Sequence, residues 1–464
     1  MDTGLAWIDD QAQTLASLAQ TIWEYAETGL EEQQSSEALM QFLKKEGFEV
    51  QSGIGGLPTA FVASYGAGNP TIGFLGEYDA LPGLSQKAAP YQEAARPGGA
   101  GHGCGHNLLG VGSLAAAVAL KRTMEAVGVR GTVRYYGCPA EEIALGKVFM
   151  ARAGAFDDLD AALTWHPDAL NMVNNAQSLA LNSVRFAFHG RSAHASGAPH
   201  LGISALDAVE LMNTGVNYLR EHVTPDTRIH YVTTNGGSEP NVVPAFAEVW
   251  YYIRAPQREN VEAVYQRIKR IAEGACMMTG ATLEIKFQTG LYEALSNPVL
   301  VNLLDESLRK VGAPVFGDTE KEFADSLAES FAPGQKGAVL QVYHVSAGTV
   351  DGNLHEAVAP DHLAGVLLPG STDVGDVSWI VPTAQIMTAC YVLGTMPHSW
   401  QAVAAAGSGI GHQGMFTAAR ALAIAGYRLM SDTALLDQVR SAFDQARGGK
   451  VYRSPLPDDL QPPI

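Results

Sequence analysis

Positive charge is scarce in this 464-residue chain: 30 Lys and Arg stand against 48 Asp and Glu, a formal net charge of −18. A surface this anionic repels phosphate backbones, and no basic cluster interrupts it, which argues against nucleic acid as a partner. An anionic small molecule is not excluded, because the local field of a pocket outweighs net charge. Cysteine is scarce as well. Cys104, Cys138, Cys276 and Cys390 lie far apart and form no CxxC pair, which argues against a disulfide framework and against zinc-finger spacing. The first residues, "MDTGLAWIDD", carry acids and no basic region ahead of an apolar run, so no signal peptide is expected and a cytoplasmic protein is. No apolar stretch reaches the ~18 residues of a membrane span, so no membrane partner is expected. Internal repeats and low-complexity tracts are missing too.

What is present is an ordinary globular composition, 47% hydrophobic and 17% charged, long enough for two domains with real cores. Residues 4–45 carry helical spacing. Strand-like runs follow at "TAFVASYG" (59–66), "TIGFLGEYD" (71–79) and "GTVRYYGCPAEE" (131–142), with a long apolar helix between the last two. Strand, loop, helix, strand predicts an α/β layer architecture with sites at strand ends. Near residue 180 the pattern shifts. A strand, an amphipathic helix (203–223), two strands, a helix (259–280) and a last strand give the order βαββαβ, a ferredoxin-like α+β unit set inside the chain. The boundaries expected are 1–182 with 296–464 for one domain and 183–295 for the insert.

The candidate chemistry begins in "GHGCGHNLLG" (101–110), where Cys104 and His106 stand one residue apart on a glycine-rich loop before a helix. A lone C-x-H fits a buried thiol beside a capping histidine more readily than a metal site, so partners must decide. "CPAEE" puts Glu141 and Glu142 side by side at the end of an apolar strand, where their repulsion calls for a cation or a helix N-terminus. On an extended chain the two would point opposite ways, one toward a metal and one toward substrate. "LTWHPD" adds His166 and "TMPHSWQ" adds His398. A thiolate, three imidazoles and two carboxylates are too many for one structural zinc, whereas two metals a few ångströms apart would use them all.

Five stretches, "GEYDALPG", "GHGCGHN", "PAEE", "WHPD" and "GRSAHAS", occur in the order seen in the aminoacylase and glutamate-carboxypeptidase superfamily of co-catalytic metallopeptidases. The chain resembles most its amidohydrolase branch, within the group of p-aminobenzoyl-glutamate hydrolases and aminoacyl dipeptidases. The resemblance implies a metallopeptidase (phosphorylase/hydrolase-like) catalytic domain with the insert as a dimerisation lid. It implies two divalent ions per subunit, manganese or zinc, held by Cys104, His106, Glu142, His166 and His398, with Cys104 in the bridging position. Glu141 matches the general base and Asp79 the acid that orients a ligand from behind. Glu77 stands where many relatives carry histidine or aspartate, and Asn107 where the branch often has aspartate. His194 of "GRSAHAS" matches the histidine that reaches the oxyanion from a partner subunit, which implies a homodimer; read alone, it fits a helix cap. "EPNVVPAFAEVWYYIR" matches the stretch that holds a free carboxylate, through Asn241 and Arg254. "STDVGDVSW" resembles a late loop of the branch, with Asp373 and Asp376 either supporting the ligands or solvated.

The function these residues imply is metal-dependent hydrolysis of an amide in an N-acyl amino acid or dipeptide-like substrate, p-aminobenzoyl-glutamate being the leading example. A dipeptidase for β-alanyl or other aminoacyl dipeptides is the nearest alternative. A carboxylate-binding subunit without hydrolysis is another, and the group leaves room for a second related subunit.

Overall fold

The computed structural model describes residues 1–346, 348 and 350–464. In chain order the strands are β1 (Glu49–Ser52), β2 (Phe61–Ala67), β3 (Thr71–Glu77), β4 (Gly131–Cys138), β5 (Ala161–Asp168), β6 (Met172–Asn174), β7 (Ala180–His189), β8 (Arg228–Asn235), β9 (Phe246–Ala255), β10 (Thr282–Leu291) and β11 (Thr383–Ala389). Seven of them form one sheet in the order β1-β2-β4-β3-β5-β11-β6. Its centre is parallel: β3 pairs with β4 and β5, and β5 with β11. The carboxyl ends of these strands therefore open on one edge, where α/β sheets place ligands.

The helix His106–Val127 is apolar nearly all round and buried along most of its length, as a helix enclosed by sheet and other helices must be. It packs on β3 and against the helix Gly409–Ser431. Gly112 has no room for a Cβ, since the Trp165 ring would lie 2.6 Å from it. Trp165 in turn donates its indole N–H to the Leu109 carbonyl at 3.1 Å, tying β5 to this helix.

The inserted unit has the expected βαββαβ order. Its sheet runs β10-β7-β9-β8, every neighbouring pair antiparallel, with helices Ala205–Leu219 and Arg258–Thr279 packed on it. The alternation in "FAEVWYYIRA" is a true period of two: Ala247, Val249, Tyr251, Ile253 and Ala255 are buried and their neighbours half-exposed. Two elements have no counterpart in the sequence reading, and one expected strand ends early. β11 is an internal strand, parallel to β5 and antiparallel to the edge strand β6, and buried on both faces, so "TAQIMTA" has no alternation to reveal it. "GKVFMAR" (146–152) is a short buried helix. β4 ends at Cys138, so Glu141 and Glu142 stand in a turn and not on an extended chain.

Candidate metal centre

The loop before His106–Val127 depends on glycine. Gly105, at the helix N-cap, has φ 70°, and a Cβ there would meet the Tyr391 hydroxyl at 2.5 Å. A Cβ on Gly103 would lie 3.2 Å from the His398 Cα. His398 itself has φ 58°, and its amide donates to the Gly103 carbonyl at 3.0 Å, so the two loops are latched backbone to backbone. The turn after β4 is pinned differently. Ala140 has φ 57°, and its amide donates to Glu32 Oε1 at 2.8 Å, while Glu32 Oε2 accepts from Thr59 Oγ1. Burial and the nearby Asp79 raise the Glu32 carboxyl to about 8.

These loops bring the candidate ligands together. Cys104 Sγ lies 3.4 Å from His166 Nε2, and with His106 the two make one trio of possible ligands. The same sulfur makes a second trio with Glu142 and His398, whose Oε2 and Nε2 are 3.4 Å apart. Behind them, Asp79 is fully buried: Oδ1 meets His106 Nδ1 at 2.8 Å and Oδ2 accepts the Glu142 amide at 2.9 Å. His166 Nδ1 lies 2.8 Å from the Pro167 carbonyl. Both imidazoles are thus held by Nδ1 with Nε2 facing the sulfur, the arrangement of a metal-bound histidine.

The electrostatics call for cations here. Burial pushes the Cys104 thiol up to about 12, with Glu142 adding to it. Burial lifts Glu142 to about 7, opposed by His106 and reinforced by Asp79 and Glu77. Burial and the His106 charge press His166 down to about 4. Burial alone would also raise Asp79, but His106 outweighs it and holds that carboxyl low. Among the described residues, the buried His106 Nε2 and Glu142 Oε1 have no hydrogen-bond partner, although His106 Nε2 is 3.2 Å from Glu77 Oε2; that contact is not aligned as a hydrogen bond. Unpartnered buried donor atoms around a thiol that resists ionisation are the chemistry a divalent pair would satisfy.

Glu141 faces the same cavity of about 490 Å³, which Glu77, Cys104, His166, Asp168 and His398 also line. Burial raises its carboxyl well above the ordinary range, and Glu77 and Asp373 add to that. Arg254 lines the cavity from β9. It donates to the Pro369 carbonyl at 3.2 Å, and among the described residues its buried Nε has no partner and no carboxylate pairs with it.

His194 and Asn241 do not join this cavity within one chain. Both are exposed, on neighbouring segments of the insert, joined where the Ala195 amide donates to the Asn241 carbonyl. His194 caps no helix. Its Nδ1 accepts from the Ser196 and Gly197 amides at 3.3 and 3.1 Å, which leaves the ring proton on Nε2, directed away from its own backbone. Asn107 is buried away from the ligands and donates to the Ala19 and Ala406 carbonyls. Asp376 accepts from the Tyr292 amide and the Tyr452 hydroxyl, and Asp373 binds Lys147. Lys147 and Glu32 escaped sequence reasoning, because no local motif marks either residue.

Residues 179–277 match the peptidase dimerisation domain of the M20 family. The chain is 43% identical to a subunit of the p-aminobenzoyl-glutamate hydrolase of Escherichia coli, over 98% of this chain and 97% of that one. The chain belongs to the M20 peptidase family. A second relative is the Xaa-Arg dipeptidase of Mus musculus, 30% identical, with 94% of this M20 chain and 90% of that protein covered. In fold the M20 chain is similar to a dinuclear metal binding peptidase from Bacillus subtilis, with TM-score 0.58, 17% identity, and 91% and 99% of the two chains covered. It is accordingly a metallo-amidohydrolase acting on amide C–N bonds. Among the described residues no helix is long and apolar enough to cross a membrane.

Proposed function

We propose that this M20 enzyme hydrolyses the amide of an N-acyl amino acid carrying a free carboxylate, with p-aminobenzoyl-glutamate the leading substrate. The observation that carries the reading is the sulfur of Cys104 standing in two ligand trios, in one cavity with an Arg254 that pairs with no carboxylate among the described residues. Cys104, His106 and His166 would hold one ion, and Cys104, Glu142 and His398 the other. Two divalent cations, manganese or zinc, supply Lewis acidity and a water of lowered pKa when bound. Asp79 orients His106 and the Glu142 backbone together. Glu141 accepts the proton of the attacking water and delivers it to the departing amine nitrogen. Arg254 clamps the substrate carboxylate, with Asn241 adding hydrogen bonds, and His194 donates its Nε2 proton to the developing oxyanion.

His194 and Asn241 lie on the insert away from the cavity of their own chain, which favours a homodimer in which each lid completes its partner's site. The division into 1–182 with 296–464 and 183–295 is supported by β7, which begins at Ala180, and β10, which ends at Leu291, each within a few residues of it. Four free thiols favour the cytoplasm. Hydrolysis of aminoacyl dipeptides is the second reading, favoured by the similarity to a dipeptidase; a related second subunit is compatible with both.

Purified enzyme loaded with manganese or zinc and offered p-aminobenzoyl-glutamate beside β-alanyl and other aminoacyl dipeptides ranks the substrates by kcat/KM. Glu141→Gln should keep its metal and lose kcat by about 10²–10⁴-fold, the usual worth of a general base. Retained turnover would overturn the assignment.

A further inference from the structure

Joined to the candidate metal centre through Glu77 lies a fully buried lysine. Lys147, on the helix Gly146–Arg152, has no solvent exposure. Its Nζ pairs with Glu77 Oε1 at 2.6 Å and with Asp373 Oδ1, and its backbone amide donates to Asp373 Oδ2 at 2.9 Å. Glu77 and Asp373 are themselves buried. A charge this deep persists only when paired, so one ammonium and two carboxylates form a closed unit.

Glu77 has a second possible partner. With His106 and Glu141 it forms a third trio whose ligand atoms lie within metal-binding reach, and this trio shares His106 with the trio that contains Cys104 and His166. His106 Nδ1 is committed to Asp79, so only the lone pair of Nε2 is available, and one lone pair ligates one cation. The two trios therefore compete. The sequence leaves the choice open, since Glu77 occupies a position where a ligand is plausible.

We propose that Lys147 is a resident cation that settles this competition: its ammonium neutralises Glu77, withdraws it from the ligand set, and leaves His106 to the ion it would share with Cys104 and His166. Lys147 is a positioning residue, acting through Glu77 and touching no substrate. Asp373 fixes it by both its ammonium and its backbone amide, so the lysine cannot swing away from Glu77.

The inference rests on the metal centre proposed above, and the two fail separately. Equilibrium dialysis against manganese or zinc, followed by elemental analysis, reads ions bound per chain. Wild-type protein that binds none sinks the metal centre itself. If wild type binds its pair, Glu77→Gln, which keeps an acceptor for Lys147, should bind the same number with affinity within about threefold. Loss of one ion in that variant makes Glu77 a ligand and overturns the inference. Lys147→Met should gain a further, weaker ion or exchange one of the pair for a weaker one, and Glu77→Gln in that background should remove the change. Lys147→Arg should bind as wild type does. Unaltered binding by folded Lys147→Met also overturns it, and should that variant not fold, Glu77→Gln decides alone.

Discussion

The sulfur of Cys104 lies 3.4 Å from His166 Nε2 while also standing within ligand reach of Glu142 and His398. One atom common to two trios makes the two halves of the centre interdependent. Cys104→Ala should therefore weaken both ions, leaving fewer than about one per chain at a metal concentration that saturates wild type, whereas His398→Ala should leave about one. Elemental analysis after dialysis separates the cases. A Cys104→Ala protein that keeps one ion at full affinity would place the sulfur in a single site.

The inserted unit was legible because its sheet has a face toward helices and a face toward solvent, so "FAEVWYYIRA" alternates and its helices are amphipathic. The parallel centre of the larger sheet was legible only in part. β11 is enclosed on both sides, and its run of small and apolar residues carries no period. The donors at the centre stood out because Cys104, His106, His166 and His398 are rare residue types flanked by glycine or proline. Their supports did not. Glu32 reaches the turn at Ala140 across 108 residues of chain, and Lys147 meets Asp373 across 226. Nothing local distinguishes such residues from solvated acids and lysines, since what makes them special is a partner brought in by tertiary folding.

Asp376 ties the loop after β10 to the C-terminal tail, accepting the Tyr292 amide at 3.1 Å and the Tyr452 hydroxyl at 2.9 Å. Burial raises its carboxyl to about 8; those hydrogen bonds only partly oppose it, and Asp373 adds to it. The native state therefore holds a proton that the unfolded chain, with an ordinary carboxyl near 3.8, releases much earlier. Between those two values the native state binds more protons, so this residue's contribution favours folding at low pH and is lost as pH rises toward 8. Asp376→Asn keeps an acceptor for Tyr292 and an N–H for the Tyr452 oxygen, without a charge to bury. Compared with wild type by calorimetry, the variant should lose less Tm between pH 5 and pH 8. Parallel Tm curves would show that Asp376 does not carry this linkage.

Among the described residues, Arg254 reaches the cavity with its Nε unpaired and with only the Pro369 carbonyl as a fixed acceptor. On the proposed function, a carboxylate supplied from outside would complete such a guanidinium. Arg254→Met should raise KM for an N-acyl amino acid by about 10–100-fold, the worth of charged hydrogen bonds of about 1.5–3 kcal/mol, with a smaller change in kcat. The same substrate with its carboxylate converted to an amide should be poor with wild type and no poorer with the variant. Equal losses on both substrates would move the arginine out of carboxylate recognition.

His194 presents the outcome that depends most on assembly. Its Nδ1 is occupied by the Ser196 and Gly197 amides, and the ring is exposed on the insert, away from the cavity its own chain forms. If the imidazole completes the site of a second copy, a His194→Ala chain still offers Glu141, and a Glu141→Gln chain still offers His194. Each variant alone should be nearly inactive. Mixed and reassociated, half the dimers should be heterodimers, each with one intact site and one site lacking both groups. Activity should then recover to about a quarter of the wild-type value, by the arithmetic of two-fold symmetric exchange. A histidine acting within its own chain predicts no recovery at any mixing ratio, because no single chain in the mixture would carry both residues.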